Sequence, residues 1–199
     1  MPRSPTIEIL LIVVVVFLAQ SVLQFIAGAA GIFALAPPVE TRPWALVTSV
    51  YAHGSVGHLA ANAIALVLFG LLVERRTTRI RFHAFFLGTG MIAGLAEIYV
   101  SGLVGGPVAV LGASGAIFGL LGYLLAGNVV SETLFDRIQL SGRAQIGLFV
   151  VIAAIVTIAT GRPGVALIAH FTGLVLGLIA GRARLLDVDR RTQGTIVYD

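Results

Sequence analysis

A serine, two histidines and an asparagine stand in stretches of chain that otherwise carry almost nothing polar. Ser114 lies in Leu111-Gly112-Ala113-Ser114-Gly115, His170 in Ile168-Ala169-His170-Phe171-Thr172-Gly173, and His58 and Asn62 in Gly57-His58-Leu59-Ala60-Ala61-Asn62. Polar groups in such surroundings carry a desolvation penalty, which makes them the first candidates for chemistry. A serine hydroxyl becomes a useful nucleophile when a base takes its proton, and neutral imidazole does that near pH 7. Ser114 and His170 suit those two roles. Acyl transfer also needs donors aimed at the developing oxyanion, and His58, Asn62 and the backbone N–H of Ser114 suit that one. His58 and Asn62 are four residues apart, so a helix puts them on one face, one turn from each other. Gly112 and Gly115 lack a Cβ and let backbone and substrate approach closely on either side of Ser114.

Each of these residues also has an ordinary structural reading. A serine at a helix start serves as a cap or packing contact, and His58 and Asn62 can bond between helices. His53 and His58 are five apart, which misses the one-face spacing of helical metal ligands. With no Cys in the chain, thiol catalysis and cysteine-ligated metals are excluded as well. We expect neither a metal nor another cofactor.

The elements that must position these groups are membrane helices. Of 199 residues, 58% are hydrophobic and 11% charged, and the mean hydropathy is +1.02. A water-soluble domain carries about a quarter charged residues, so a soluble enzyme or nucleic-acid binder is not expected. Apolar stretches at roughly 7–27, 58–73, 82–100, 114–130, 146–160 and 164–181 approach or reach the ~20 residues needed to span a bilayer. The reading is an all-α membrane protein with six transmembrane helices in a single membrane domain over 1–199, ending in a polar cytoplasmic tail at 182–199. All 13 basic residues are Arg. With a cytoplasmic N-terminus, 11 of them (Arg3, Arg75, Arg76, Arg79, Arg81, Arg137, Arg143, Arg182, Arg184, Arg190 and Arg191) fall inside, and only Arg42 and Arg162 outside, as the positive-inside rule favours. The basic charge is thus spread over separate short loops, which leaves no nucleic-acid patch.

In this topology the second, fourth and sixth segments all start at the outer side. His58 and Ser114 stand at their starts and His170 about six residues in, about 9 Å at ~1.5 Å per residue, so the polar set shares one depth. The segment between the first two helices, with Pro37, Pro38, Glu40, Arg42, Pro43 and Trp44, is expected to lie in the interface with Trp44 and Tyr51 as anchors. The Gly-rich loop from Ser101 to Ala113 either moves or lines a cavity. Gly173, Gly177 and Gly181 form a small-residue ridge for close helix packing. Glu97, near the outer end of the third segment, has no assigned role, and His83 reads as interfacial. Ala27-Gly28-Ala29 resembles a signal-peptide cleavage site, but the long apolar stretch before it favours a retained helix.

Together these motifs resemble the rhomboid family of intramembrane serine proteases. The resemblance rests on His53-x4-His58-x3-Asn62, Gly112-Ala113-Ser114-Gly115 and Ala169-His170-x2-Gly173, each on the expected helix and in the expected order, and runs from about 43 to 181. Pro43-Trp44, Leu46-Val47-Thr48-Ser49 and Gly70-x3-Glu74 add to it. The Trp-Arg pair usual in the family's first loop is not reproduced, because Arg42 precedes Trp44. The resemblance implies a rhomboid-like bundle and a Ser114–His170 dyad without an acid. It also implies an oxyanion site from His58, Asn62 and the Ser114 backbone, with Gly112 shaping the adjoining loop. His53 would be structural, and Glu74 a helix contact at the cytoplasmic end. The partners implied are membrane lipid and transmembrane segments of other proteins, entering laterally and cut near the outer face at small residues. A prokaryotic cell membrane is the implied setting, and nothing in the sequence sets an oligomeric state. Two other readings stay open: a noncatalytic binder of transmembrane segments, and a small transporter, which lacks an inverted repeat.

Overall fold

The computed structural model describes residues 4–106, 108–127, 141–161 and 164–188. Seven α-helices lie among them: α1 (Pro5–Ala27), α2 (Ala45–Tyr51), α3 (Val56–Val73), α4 (Arg79–Gly105), α5 (Ser114–Ala126), α6 (Gly142–Thr160) and α7 (Leu167–Arg182). Helices α1, α3, α4 and α6 are long and apolar enough to cross a membrane, whereas α5 and α7 are apolar but shorter, with 13 and 16 residues. Many large apolar side chains point outward, among them Leu11, Leu18, Phe25, Leu68 and Ile155, as lipid-facing surfaces require. Residues 128–130 of the expected fourth segment lie outside the described residues. So do Arg3, Arg137, Arg162, Arg190, Arg191 and the end of the polar tail.

The four long helices each begin on a hydroxyl residue. Ser4, Ser55, Thr78 and Ser141 accept hydrogen bonds from Ile7, His58, Arg81 and Ala144 N–H respectively, satisfying donors that a helix start leaves free. The short helices differ: Ala113 and Ala166 precede α5 and α7, and neither offers a side-chain cap. Helix α4 runs past the expected 82–100 to Gly105 and ends where Gly106 takes φ +91°. Ser101 is therefore helical and stands one turn beyond Glu97.

The closest packing joins α5 to α7. A Cβ on Gly173 would collide with the carbonyl of Gly115, one on Gly177 with that of Gly119, and one on Gly181 with that of Tyr123. Residue numbers rise together along this seam, so the two helices run parallel. The ridge expected from Gly173, Gly177 and Gly181 is thus a backbone-to-backbone contact, with Gly115 and Gly119 as its counterpart. Helix α3 packs on α5, and α6 packs on α7 through Phe149, Ala153, Leu174 and Leu178. Phe82, Phe86, Leu120 and Tyr123 fill the core with Ile9 and Val13 of α1.

Polar locks gather at the end of the bundle opposite Ser114. Glu74 accepts from Ser4 Oγ at 2.7 Å and from the N–H of Thr6 at 3.1 Å. Glu8 pairs with Arg79 at 2.7 Å and contacts His83 Nε2 at 2.9 Å, Arg76 donates to the Gly127 carbonyl, and Tyr123 donates to Asp187 at 2.7 Å. In the first loop Trp44 is half exposed and donates to the Ile32 carbonyl. Tyr51 does not match its expected anchoring role: it is buried at the end of α2, 6.3 Å from the Phe86 ring, because α2 turns it into the core.

Gly177→Ala is expected to destabilise the protein by about 1–3 kcal/mol, the usual cost of overpacking, read as a lower melting temperature in detergent. Gly102→Ala, whose Cβ meets open space, should melt like the wild type. A Gly177→Ala protein as stable as the wild type would contradict the seam.

Candidate active site

Ser114 is the first residue of α5, and the loop that leads to it is tied down by backbone pairing. Leu35 and Val110 exchange two hydrogen bonds, of 2.9 and 2.8 Å, and the Gly112 N–H donates to the Ser49 carbonyl at 2.8 Å. The Gly-rich loop is therefore held against the first loop, and Val108 to Leu111 line a cavity. Gly112 has φ +129°, and a Cβ there would sit 2.7 Å from His58 Cε1 and 3.9 Å from Ser114 Oγ. Only glycine accepts both the backbone angle and the approach of that ring.

His58 and Asn62 occupy the first two turns of α3, and Asn62 Nδ2 donates to the His58 carbonyl at 3.2 Å. One of the two amide hydrogens of Asn62 is thus used locally and the other is left for the cavity. His170 lies in the first turn of α7, nearly buried at 8% exposure, with its ring stacked on Phe118 at 4.2 Å and 19°. Its Nδ1 is buried without a hydrogen-bond partner.

Ser114, His170, His58 and Asn62 all line one cavity of about 930 Å³. Its apolar wall includes Phe118 and Leu121 of α5 and Val156 of α6, so it lies between α3 and α6 above the α5–α7 seam. Gly112 is not part of this wall and backs the His58 ring. Among the described residues, no hydrogen bond joins Ser114 Oγ to the His170 ring.

Gln20, Phe118 and Glu97, none assigned a role in the site from sequence alone, shape it together with His53. Gln20 of α1 accepts from the His53 N–H at 3.3 Å and donates to the His53 carbonyl at 3.1 Å. His53 is fully buried, its Nδ1 lies 3.1 Å from the Tyr51 carbonyl, and its ring meets the edge of His58 at 4.8 Å. Phe118 supplies the stacking face for His170, one turn below Ser114. Glu97 is 9% exposed and lines the cavity. It accepts from Ser101 Oγ at 2.8 Å and from the Ala169 N–H at 2.9 Å. Gln20 is one of two amides in the apolar span α1, with Gln24, and Glu97 an acid in an apolar helix; nothing distinguished Phe118 from core.

Fold and cavity describe an all-helical, multi-pass membrane protein with a polar pocket walled by apolar side chains. The Rhomboid domain family matches residues 40–186, and the chain belongs to the rhomboid family. It is 30% identical over 150 residues to RHOMBOID-like protein 5 of Arabidopsis thaliana, covering 74% of this chain and 46% of that one. It is 32% identical over 142 residues to Rhomboid protease GluP of Bacillus subtilis, covering 70% and 26%. With Rhomboid protease GlpG of Haemophilus influenzae it shares 26% identity over 146 residues, covering 71% and 70%. The chain thus spans less than half the length of several curated relatives it matches.

Gly112→Ala is expected to cost about 1–3 kcal/mol through backbone strain and displacement of the His58 ring. Gly57→Ala, in open space on α3, should be neutral. Thermal melting of the two variants in detergent checks this, and equal melting temperatures would contradict the account of the loop.

Proposed function

We propose that the protein is an intramembrane serine endopeptidase that cuts transmembrane segments of other membrane proteins near the outer membrane face. The observation that carries this reading is the convergence of Ser114, His170, His58 and Asn62, from three helices, on the wall of one cavity. Family membership and the likeness to relatives named as rhomboid proteases support it.

In this mechanism His170 Nε2 takes the Ser114 hydroxyl proton as Oγ attacks the scissile carbonyl carbon. Nδ1 is sealed in protein, which leaves Nε2 as the nitrogen for the task. Unliganded sites often hold such pairs apart until substrate binds, consistent with the unbonded Ser114 and His170. The carbonyl oxygen gains negative charge and is met by Asn62, His58 and the Ser114 N–H. Collapse breaks the C–N bond, and His170 returns its proton to the departing amine. Water, activated by the same imidazole, then releases the acyl group from Ser114. Phe118 holds the ring plane throughout. No metal or other cofactor enters.

The reading extends to six spans within a single rhomboid-like domain, counting α5 and α7 as short spans beside α1, α3, α4 and α6. It places the first loop in the outer interface, both termini and the polar tail in the cytoplasm, and the protein in a prokaryotic cell membrane. Substrate enters sideways between α3 and α6, where the cavity lies.

Ser114→Ala and His170→Ala should each abolish cleavage of a single-span substrate carrying small residues near its outer end, while Asn62→Ala should lower turnover by about 10²-fold or less. Near-normal cleavage by either dyad variant would reject the assignment. Because the base must be neutral, activity should be present at neutral pH and fall as acidification protonates His170. A rate that shows no fall at any acid pH at which the protein stays folded would contradict that role.

A further inference from the structure

The helix that carries His170 starts without a cap of its own, and the missing acceptor arrives from another helix. Ala166 at the start of α7 makes no side-chain hydrogen bond. The Ala169 N–H, one of the donors left free in the first helical turn, instead donates to Glu97 Oε2 of α4 at 2.9 Å. Ser101 Oγ donates to the other carboxyl oxygen at 2.8 Å, so both oxygens are held. A carboxylate here complements the positive end of the α7 helix dipole. It also lines the same cavity as the His170 side chain.

We infer that Glu97 is a positioning residue for His170: from α4 it fixes the first turn of α7 and supplies the negative charge that supports an imidazolium formed during turnover. The inference rests on the protease reading of the same cavity and adds an acid, acting through the helix backbone and through space, to a pair otherwise lacking one. Around His170, the described residues that line the cavity include His58 of α3, Glu97 of α4, Ser114 and Phe118 of α5, and Val156 and Thr160 of α6. Glu97 is the acid among them. Burial of a carboxyl group is costly unless its oxygens are bonded, and both oxygens of Glu97 are bonded, one to the Ala169 N–H of α7 and the other to Ser101 of its own helix. The alternative, a helix cap with no part in chemistry, makes a different prediction, because glutamine preserves the acceptor and removes the charge.

The experiment compares wild type, Glu97→Gln and Glu97→Ala in detergent, measuring kcat against pH on a single-span substrate, with Ser114→Ala as the blank. Glu97→Gln retains an oxygen for the Ala169 N–H and should melt like the wild type. Its kcat at neutral pH should fall roughly tenfold, the scale of one partly buried charge interaction. Its pH profile should also differ from the wild type's, since the charge facing the same cavity is gone while the cap to Ala169 stays. Glu97→Ala should lose at least as much activity and melt lower. Ser114-dependent cleavage with wild-type kcat and pH profile in Glu97→Gln would overturn this inference and leave the protease reading intact. Absence of any Ser114-dependent product from the wild type would overturn both.

Discussion

Backbone contact between α5 and α7 is the constraint on which the rest of this structure depends. Glycines on both helices bring main chain against main chain at Gly115–Gly173 and Gly119–Gly177, and side chains of ordinary size would force the helices apart. The contact runs in parallel register, so the start of one helix necessarily lies beside the start of the other. Ser114 opens α5 and His170 sits in the first turn of α7; their meeting at one end of the bundle follows from the seam. Parallel neighbours also require the intervening chain to return, which is what α6 does.

The seam brings the helices together but does not finish their ends. Helices α1, α3, α4 and α6 are capped by their own preceding hydroxyl residues, whereas α5 and α7 begin at alanines. Their starts are instead held by distant parts of the chain: residues 110 and 112 by the first loop, and Ala169 by Glu97. Gln20 fixes the backbone of His53, whose ring abuts His58. The starts of α5 and α7 and the surroundings of the His58 ring thus depend on elements far away in sequence. The opposite end of the bundle is held by its own set of locks around Glu74, Glu8 and Asp187, which leaves the cavity end free of structural ion pairs among the described residues.

Much of the helical architecture was legible because lipid leaves few choices. Long apolar stretches imply helices, and the glycine spacing of 173, 177 and 181 implies a close partner. The residues gathered in the cavity were legible for the same reason: polar groups in apolar surroundings are scarce, so Ser114, His58, Asn62 and His170 stood out. What could not be read from spacing was direction. Tyr51 suits an interface by type, yet α2 turns it inward. Glu97 could equally have faced water, and its partner, a backbone N–H, leaves no mark in the sequence. Phe118 is one of 11 phenylalanines, and only three-dimensional packing singles it out as the face against which His170 stacks. The end of α4 was missed because Ser101 to Gly105 mixes glycine with apolar residues, and the helix stops only where Gly106 leaves the right-handed region.

The central claim is that Ser114 and the His170 ring act on one substrate carbon inside the cavity, and the most direct measurement is a structure of the protein after reaction with a peptidyl phosphonate in lipid. The account predicts phosphorus bonded to Ser114 Oγ, a phosphonyl oxygen within hydrogen-bond reach of Asn62 Nδ2 and the Ser114 N–H, and His170 Nε2 turned toward the adduct. Phosphorus on another residue, or on Ser114 with packed apolar side chains between the adduct and His170, would contradict it.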